Sequence, residues 1–271
     1  MNSLDGRFAG SLCAAALLLL ALMSAGCGSE PGPVVPASAE PATALHPLPS
    51  PVATSTRAVV PQPSAAPHLT GYEFPASIDT ESRYLFYLHG KIIEDQGLPA
   101  ISPDFGEYQY ASILKVLEDR GFVVISEQRS KDTDGVAYAQ KVLEQVVLLL
   151  KAHVPQGNIT VVGASKGASI AAFVSYLLAD PRVNYVLLGS CPPIMIDEWK
   201  SSGMWLHGNV LAIYDSADLE YAGSCEELFR MSEGRGLGRH QEIVLHVGTG
   251  HGILYKPLDE WIVPTVGWAA Q

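Results

Sequence analysis

Positive charge is scarce in this chain: 17 Lys and Arg stand against 28 Asp and Glu in 271 residues, a formal net charge of −11. Binding to a phosphate backbone needs clustered Lys and Arg, so nucleic acid is not an expected partner. Cysteine is scarce too, with four residues that form no run of metal-ligand spacing. A glycine-rich dinucleotide fingerprint is also missing, so neither a metal nor another cofactor is implied. The apolar run near the N-terminus, Leu12–Met23, is twelve residues long, short of the ~20 that a membrane-spanning helix needs. No internal repeat is visible.

What is present divides the chain into three parts. Residues 1–26 have the make-up of a secretory signal peptide: a short polar start containing Arg7, the apolar run, then small residues. Ser24-Ala25-Gly26-Cys27 resembles a bacterial lipobox, departing from it at Ser24, where Leu is usual. The resemblance implies cleavage before Cys27, lipidation of its thiol and an extracytoplasmic, membrane-anchored protein of the bacterial envelope. An ordinary cleaved signal and an uncleaved anchor are the alternatives. Residues 27–70 are the second part, and positions 28–70 of it hold ten of the 19 prolines. No helical or alternating period survives that density, so the segment is expected to be a disordered, semi-extended tether.

From Gly71 the texture changes to that of a single globular domain, 71–271. A hydrophobic fraction of 48% in the whole chain is ample for its core. Short apolar runs predict strands at Tyr84–Leu88, Phe122–Ser126, Asn158–Val162, Asn184–Gly189, Asn209–Tyr214 and Glu242–Val247. Helical patterns fall between and after them at Tyr108–Arg120, Val136–His153, Lys166–Leu178, Cys225–Glu233 and Leu254–Ala269. Within the second of these, Val142, Val146, Leu149 and Leu150 share one face. Strands alternating with helices predict an α/β fold, a mostly parallel sheet with helices on both faces. In such sheets the working residues gather at the carboxyl ends of the strands.

The segment from Ile159 to Gly167 reads strand, then Gly163-Ala164-Ser165-Lys166-Gly167, then helix. A G-x-S-x-G turn in that context holds a serine in a strained conformation with its hydroxyl exposed above the sheet. With these residues the chain, over about 84–269, resembles the α/β-hydrolase superfamily. The resemblance implies that Ser165 is a nucleophile, and that an acid and then a histidine follow it in the chain. Asp215-Ser216-Ala217-Asp218 closes the strand Asn209–Tyr214 and is similar to the family's acid turn. Asp218 falls at the acid position, with Asp215 as the alternative. His251, in the loop Gly248-Thr249-Gly250-His251-Gly252 after the last strand, stands where the family keeps its base. His89-Gly90-Lys91, after the first strand, matches the loop that supplies one oxyanion-binding amide, the other coming from the residue after the serine. The two amides are those of Lys91 and Lys166, whose side chains read as solvated on a cleft rim. Glu94, Glu107, Glu127 and Arg129 fall in loops or strand ends on the same side of the sheet, where a buried Glu–Arg pair is expected to brace the loops, with a substrate-carboxylate clamp by Arg129 as the alternative.

The same fold would place Cys191 and Cys225 at neighbouring strand ends, compatible with a disulfide stapling the acid loop or with two separate buried thiols. Only about twenty residues separate Gly189 from Asn209, enough for a short apolar flap containing Trp199 and Trp205 and thus a minimal cap. The expected activity is cleavage of a small-molecule ester or thioester by acyl transfer. A peptidase or amidase and a non-catalytic binding protein of the same fold are the alternatives.

Overall fold

The structure, a computed structural model, describes residues 71–271. The signal segment 1–26, Cys27 and the remainder of the tether lie outside the described residues. Elements alternate along the domain as β1 (Arg83–Leu88), α1 (Lys91–Gln96), β2 (Ile101–Ser102), β3 (Gly106–Glu107), α2 (Tyr110–Asp119), β4 (Phe122–Ile125) and α3 (Gly135–Lys151). They continue as β5 (Ile159–Ala164), α4 (Lys166–Leu178), β6 (Asn184–Leu188), α5 (Pro193–Ser201), β7 (Gly208–Asp215), α6 (Glu226–Ser232), β8 (Leu237–Leu245) and α7 (Asp259–Ala269). Six strands form one sheet in the order β4-β1-β5-β6-β7-β8, and β2 and β3 make a separate small hairpin. Every pairing in the large sheet is parallel.

Parallel strands joined by crossover helices are covered on both faces and therefore read as continuous apolar runs. In β1, Tyr84, Phe86 and Leu88 enter the core layer shared with α3, α4, α5 and α6, whereas Leu85 and Tyr87 enter the layer shared with α1, α2 and α7. Helix α3 shows how sequence sets an element's limits. The Asp134 carboxylate caps it by accepting the Val136 and Ala137 amides at 2.9 Å each. Val142, Val146 and Leu149 are its buried stripe.

Four local differences from the sequence reading have physical causes. The short helix α1 and the hairpin β2–β3 were not predicted. Six and two-plus-two residues are too few to show a period. The expected flap between β6 and β7 is instead helix α5. Pro193 occupies its first turn, where a missing amide costs nothing. Met195 and Trp199 are buried in the core rather than over a cleft. Strand β8 starts at Leu237, earlier than expected, because the edge of the sheet carries Arg239, His240 and Gln241 in place of an apolar run. The strand also ends earlier than expected, at Leu245, so His246 lies just beyond it, bonded to the Ser216 hydroxyl at 2.8 Å.

Candidate active site

All six strands of the large sheet deliver a residue to one end. Ser165 follows β5 directly, at φ 54° and ψ −120°, a combination that L-residues avoid. Such a residue costs about 1–3 kcal/mol and persists only where its surroundings over-determine it. Here the Ser165 amide donates to the Leu188 carbonyl at 2.9 Å, and the Ser165 carbonyl accepts the Ala168 amide at 2.7 Å. The flanking glycines allow α4 to approach this closely. A Cβ on Gly163 would lie 2.1 Å from the Gly167 carbonyl oxygen, and one on Gly167 would lie 1.9 Å from that of Leu88.

His251 is the second residue of a short 3-10 turn, Gly250–Tyr255, after β8. Its Nδ1 donates to Asp218 Oδ2 at 2.5 Å, both side chains being nearly buried. That bond fixes one tautomer and leaves Nε2 as a lone-pair acceptor. The other Asp218 oxygen accepts the Tyr221 amide at 3.1 Å. Asp215 has different work. Its carboxylate accepts the Ala217 amide and, across the sheet end, the Gly248 amide, each at 2.8 Å. Of the two aspartates weighed from sequence, Asp218 is the one on the imidazole, and Asp215 ties the β7 and β8 loops together.

The imidazole packs over Gly189. A Cβ there would sit 3.3 Å from His251 Cε1. Gly189 follows Leu188, the acceptor of the Ser165 amide, so Ser165 and the imidazole stand on adjacent strand ends. Among the described residues the Ser165 hydroxyl makes no hydrogen bond, and neither does His251 Nε2. Such links are often long in unliganded sites and close around substrate.

Gly90 lies against the serine, and a Cβ built on it would be 3.7 Å from Ser165 Cβ. Lys91 and Lys166 are the first residues of α1 and α4. Their amides are thus among the donors that a helix start leaves without a carbonyl partner. The Lys91 side chain is half-exposed and pairs with Asp95. That of Lys166 is not solvated as expected. It crosses to Glu94 and also donates to the Thr133 carbonyl at 2.7 Å. Glu94 is buried, with its other oxygen on Arg129 Nε at 2.6 Å. The guanidinium also donates through Nη2 to the His89 carbonyl. Nε and Nη2 of Arg129 are thus committed to Glu94 and the main chain, while Nη1 has no partner among the described residues; the side chain as a whole is fully enclosed, which places it away from a substrate carboxylate at the surface. His89 is fully buried, its Nδ1 donating to the Gly90 carbonyl at 2.8 Å and its Nε2 accepting the Arg129 amide at 2.9 Å. Burial, and then the positive Arg129, hold its pKa well below the ordinary imidazole value.

Cys191 and Cys225 are joined by a disulfide. Gly223, just before Cys225, donates its amide to the Ser190 carbonyl at 2.9 Å. The loop that carries Asp218 is thus tied to the end of β6, on which the imidazole rests. Beside His251 lies a depression of about 350 Å³ whose lining includes Phe105, Leu219 and Tyr221. The ring centroids of Phe105 and Tyr221 are 6.5 and 5.0 Å from that of the imidazole. Phe105 and Tyr221 carried no sequence signal, since both sit in irregular loops. No group of His, Cys, Asp or Glu suited to a metal occurs among the described residues.

A parallel sheet ordered β4-β1-β5-β6-β7-β8, with a strained serine turn after β5, an acid after β7 and a histidine after β8, decides the architecture. The chain has the α/β-hydrolase fold. No protein-family model matches it, and no curated protein does. Solved structures similar to it include a carboxylesterase from Bacillus cereus, at 16% identity and a TM-score of 0.46, covering 77% of this chain and 95% of that one. An esterase from Pyrococcus furiosus is 14% identical with a TM-score of 0.43, over 71% of this chain and 84% of that one. SOBER1 from Arabidopsis thaliana is 12% identical with a TM-score of 0.41, over 70% and 100%. Likenesses this distant say nothing of substrate or catalysis, which have to be argued from the α/β-hydrolase site itself.

Proposed function

We propose that this chain is a serine hydrolase that cleaves an ester or thioester by acyl transfer to water. One observation carries the reading: Ser165 sits on a strained turn at the end of β5, and the imidazole that packs over Gly189 at the end of the neighbouring β6 has its tautomer fixed by Asp218. Ser165 Oγ attacks the carbonyl carbon while His251 Nε2 takes the hydroxyl proton, and Asp218 stabilises the imidazolium. The carbonyl oxygen becomes an oxyanion that accepts from the Lys91 and Lys166 amides, aided by the positive end of α4. Collapse expels the alcohol or thiol, which receives the proton from His251. Water repeats the sequence on the acyl-enzyme and regenerates the serine. The depression beside His251, at the low end of the range for ligand pockets and lined from the acid and histidine loops, is read as the place of a small leaving group.

The test is labelling of the purified protein with a fluorophosphonate probe, comparing wild type with Ser165→Ala and His251→Ala, folding of each being checked by thermal melt. Labelling of wild type with loss in both variants supports an activated serine. A screen of ester, thioester and amide substrates then separates the esterase from a peptidase or amidase. Folded wild type inert to the probe and to a smaller sulfonyl fluoride would refute the reading and favour a binding protein. For Cys27 the proposal is lipidation and anchoring at the envelope. Metabolic palmitate labelling lost in Cys27→Ser, with release into the soluble fraction, is the expected result. Unchanged membrane association would overturn it.

A further inference from the structure

The buried charges beside the nucleophile have a placement that bracing alone does not require. Glu94 sits three residues after Lys91 on α1, so its position and that of the Lys91 amide are fixed by one short helix. One Glu94 oxygen holds the side chain of Lys166, the residue whose amide is the second oxyanion donor. The other holds Arg129, which donates to the His89 carbonyl just upstream of the first donor. His89 in turn donates to the Gly90 carbonyl. That carbonyl and the Lys91 N–H belong to a single planar peptide unit, so fixing the oxygen fixes the direction of the N–H.

We infer that Glu94 is a positioning residue that sets the separation and aim of the two oxyanion-binding amides, acting through Lys166 on one side and through Arg129 and His89 on the other. The inference rests on the reading of Ser165 as the nucleophile. Its chemistry is electrostatic and geometric, and no bond changes at Glu94. A buried carboxylate with two cationic partners is costly to desolvate, and apolar replacements of such groups are often as stable as the original. Selection for stability alone therefore does not call for it. An oxyanion hole does call for rigid, preorganised donors, because removing one costs about 10²–10³-fold in kcat. An error in placement of about 1 Å is enough to lose a similar factor.

Three variants test the idea. Lys166→Met removes one arm of the network at a side chain that is 22% exposed, so folding should survive, and the Lys166 amide is kept. Lys166→Arg restores a cation in the same place. The triple variant Glu94→Met/Arg129→Leu/Lys166→Met exchanges the whole cluster for apolar packing. Turnover of p-nitrophenyl acetate and inhibition by a boronic acid, whose adduct with Ser165 carries the tetrahedral oxygen, are measured beside thermal melts. The expected result for Lys166→Met is a fall in kcat of about 10-fold or more, KM within about 2-fold, and inhibitor binding weakened in step with kcat. Lys166→Arg should recover most of the loss. The triple variant, where it melts like wild type, should stay slow. Wild-type kcat in Lys166→Met, or a loss confined to KM, would overturn the inference. Wild type inert to the fluorophosphonate would instead remove the hydrolase reading on which it rests.

Discussion

Replacing the disulfide by Cys191→Ala/Cys225→Ala should both destabilise the domain and slow the reaction. The bond closes a loop with a sequence separation of 34. In the chain-entropy model, −2.1 − 1.5R ln n cal/mol/K for that loop amounts to about 3.8 kcal/mol at 25 °C. A domain of this size loses roughly 2–4 °C of melting temperature per kcal/mol, so the midpoint should drop by roughly 8–15 °C. The loop contains Asp218, and beyond Asp218 the segment leading to Cys225 is held to the end of β6 by the Gly223–Ser190 hydrogen bond. Loosening it frees the carboxylate that orients His251, so kcat should fall well below the melting transition, with KM less affected. Tryptophan fluorescence follows unfolding, since Trp199 and Trp261 are fully buried, and initial rates at 25 °C report the site. A drop of less than about 3 °C would refute the loop-closure argument. An unchanged kcat would refute the claim that the staple holds the acid.

Other expectations follow from single contacts. Asp218→Asn should lower kcat about 10³–10⁴-fold by spoiling the tautomer of His251, measured by steady-state kinetics. Asp215→Asn should act mainly on stability, by about 1–3 kcal/mol in denaturant titration, because it supports backbone amides of two loops. Gly167→Ala should cost about 3 kcal/mol or more, or abolish soluble expression, since backbone meets backbone at Leu88. His89 is held neutral in the folded state by burial and Arg129, so below about pH 6.5 the unfolded chain binds a proton that the native one refuses. Stability should therefore fall as pH drops through that point, by up to about 1.4 kcal/mol per unit, and the slope should flatten in His89→Asn melted between pH 7 and 5.

The legible part of the fold lay where pattern and burial coincide. Helix α4 runs over the predicted Lys166–Leu178, because the serine turn sets its start and an unbroken apolar run carries it on. Strands β5 and β6, buried on both faces, could be read as apolar runs for the same reason. Strand β8 was half-hidden, since an edge strand carries charge that erases the run. The short apolar stretch between β6 and β7 was read as a flap, although Pro193 is at home in the first turn of the helix that it forms. In the site, the motif and chain order pointed to Ser165, Asp218 and His251. They did not separate Asp218 from Asp215, which is a matter of where each carboxylate aims. The Lys166–Glu94 contact spans 72 residues of sequence, a distance over which no periodicity speaks, and the rim aromatics Phe105 and Tyr221 stand in loops without any pattern.

The contacts at Gly163 and Gly167 mean that the Ser165 hydroxyl is located by main chain pressed on main chain, with no side chain between. Side-chain replacements elsewhere around the mouth leave that seat intact. The segments after β7 and β8, which carry Leu219, Tyr221 and Thr249, are then open to drift in sequence without dragging the serine along. Descendants of this chain are expected to change what they accept sooner than how they cut it.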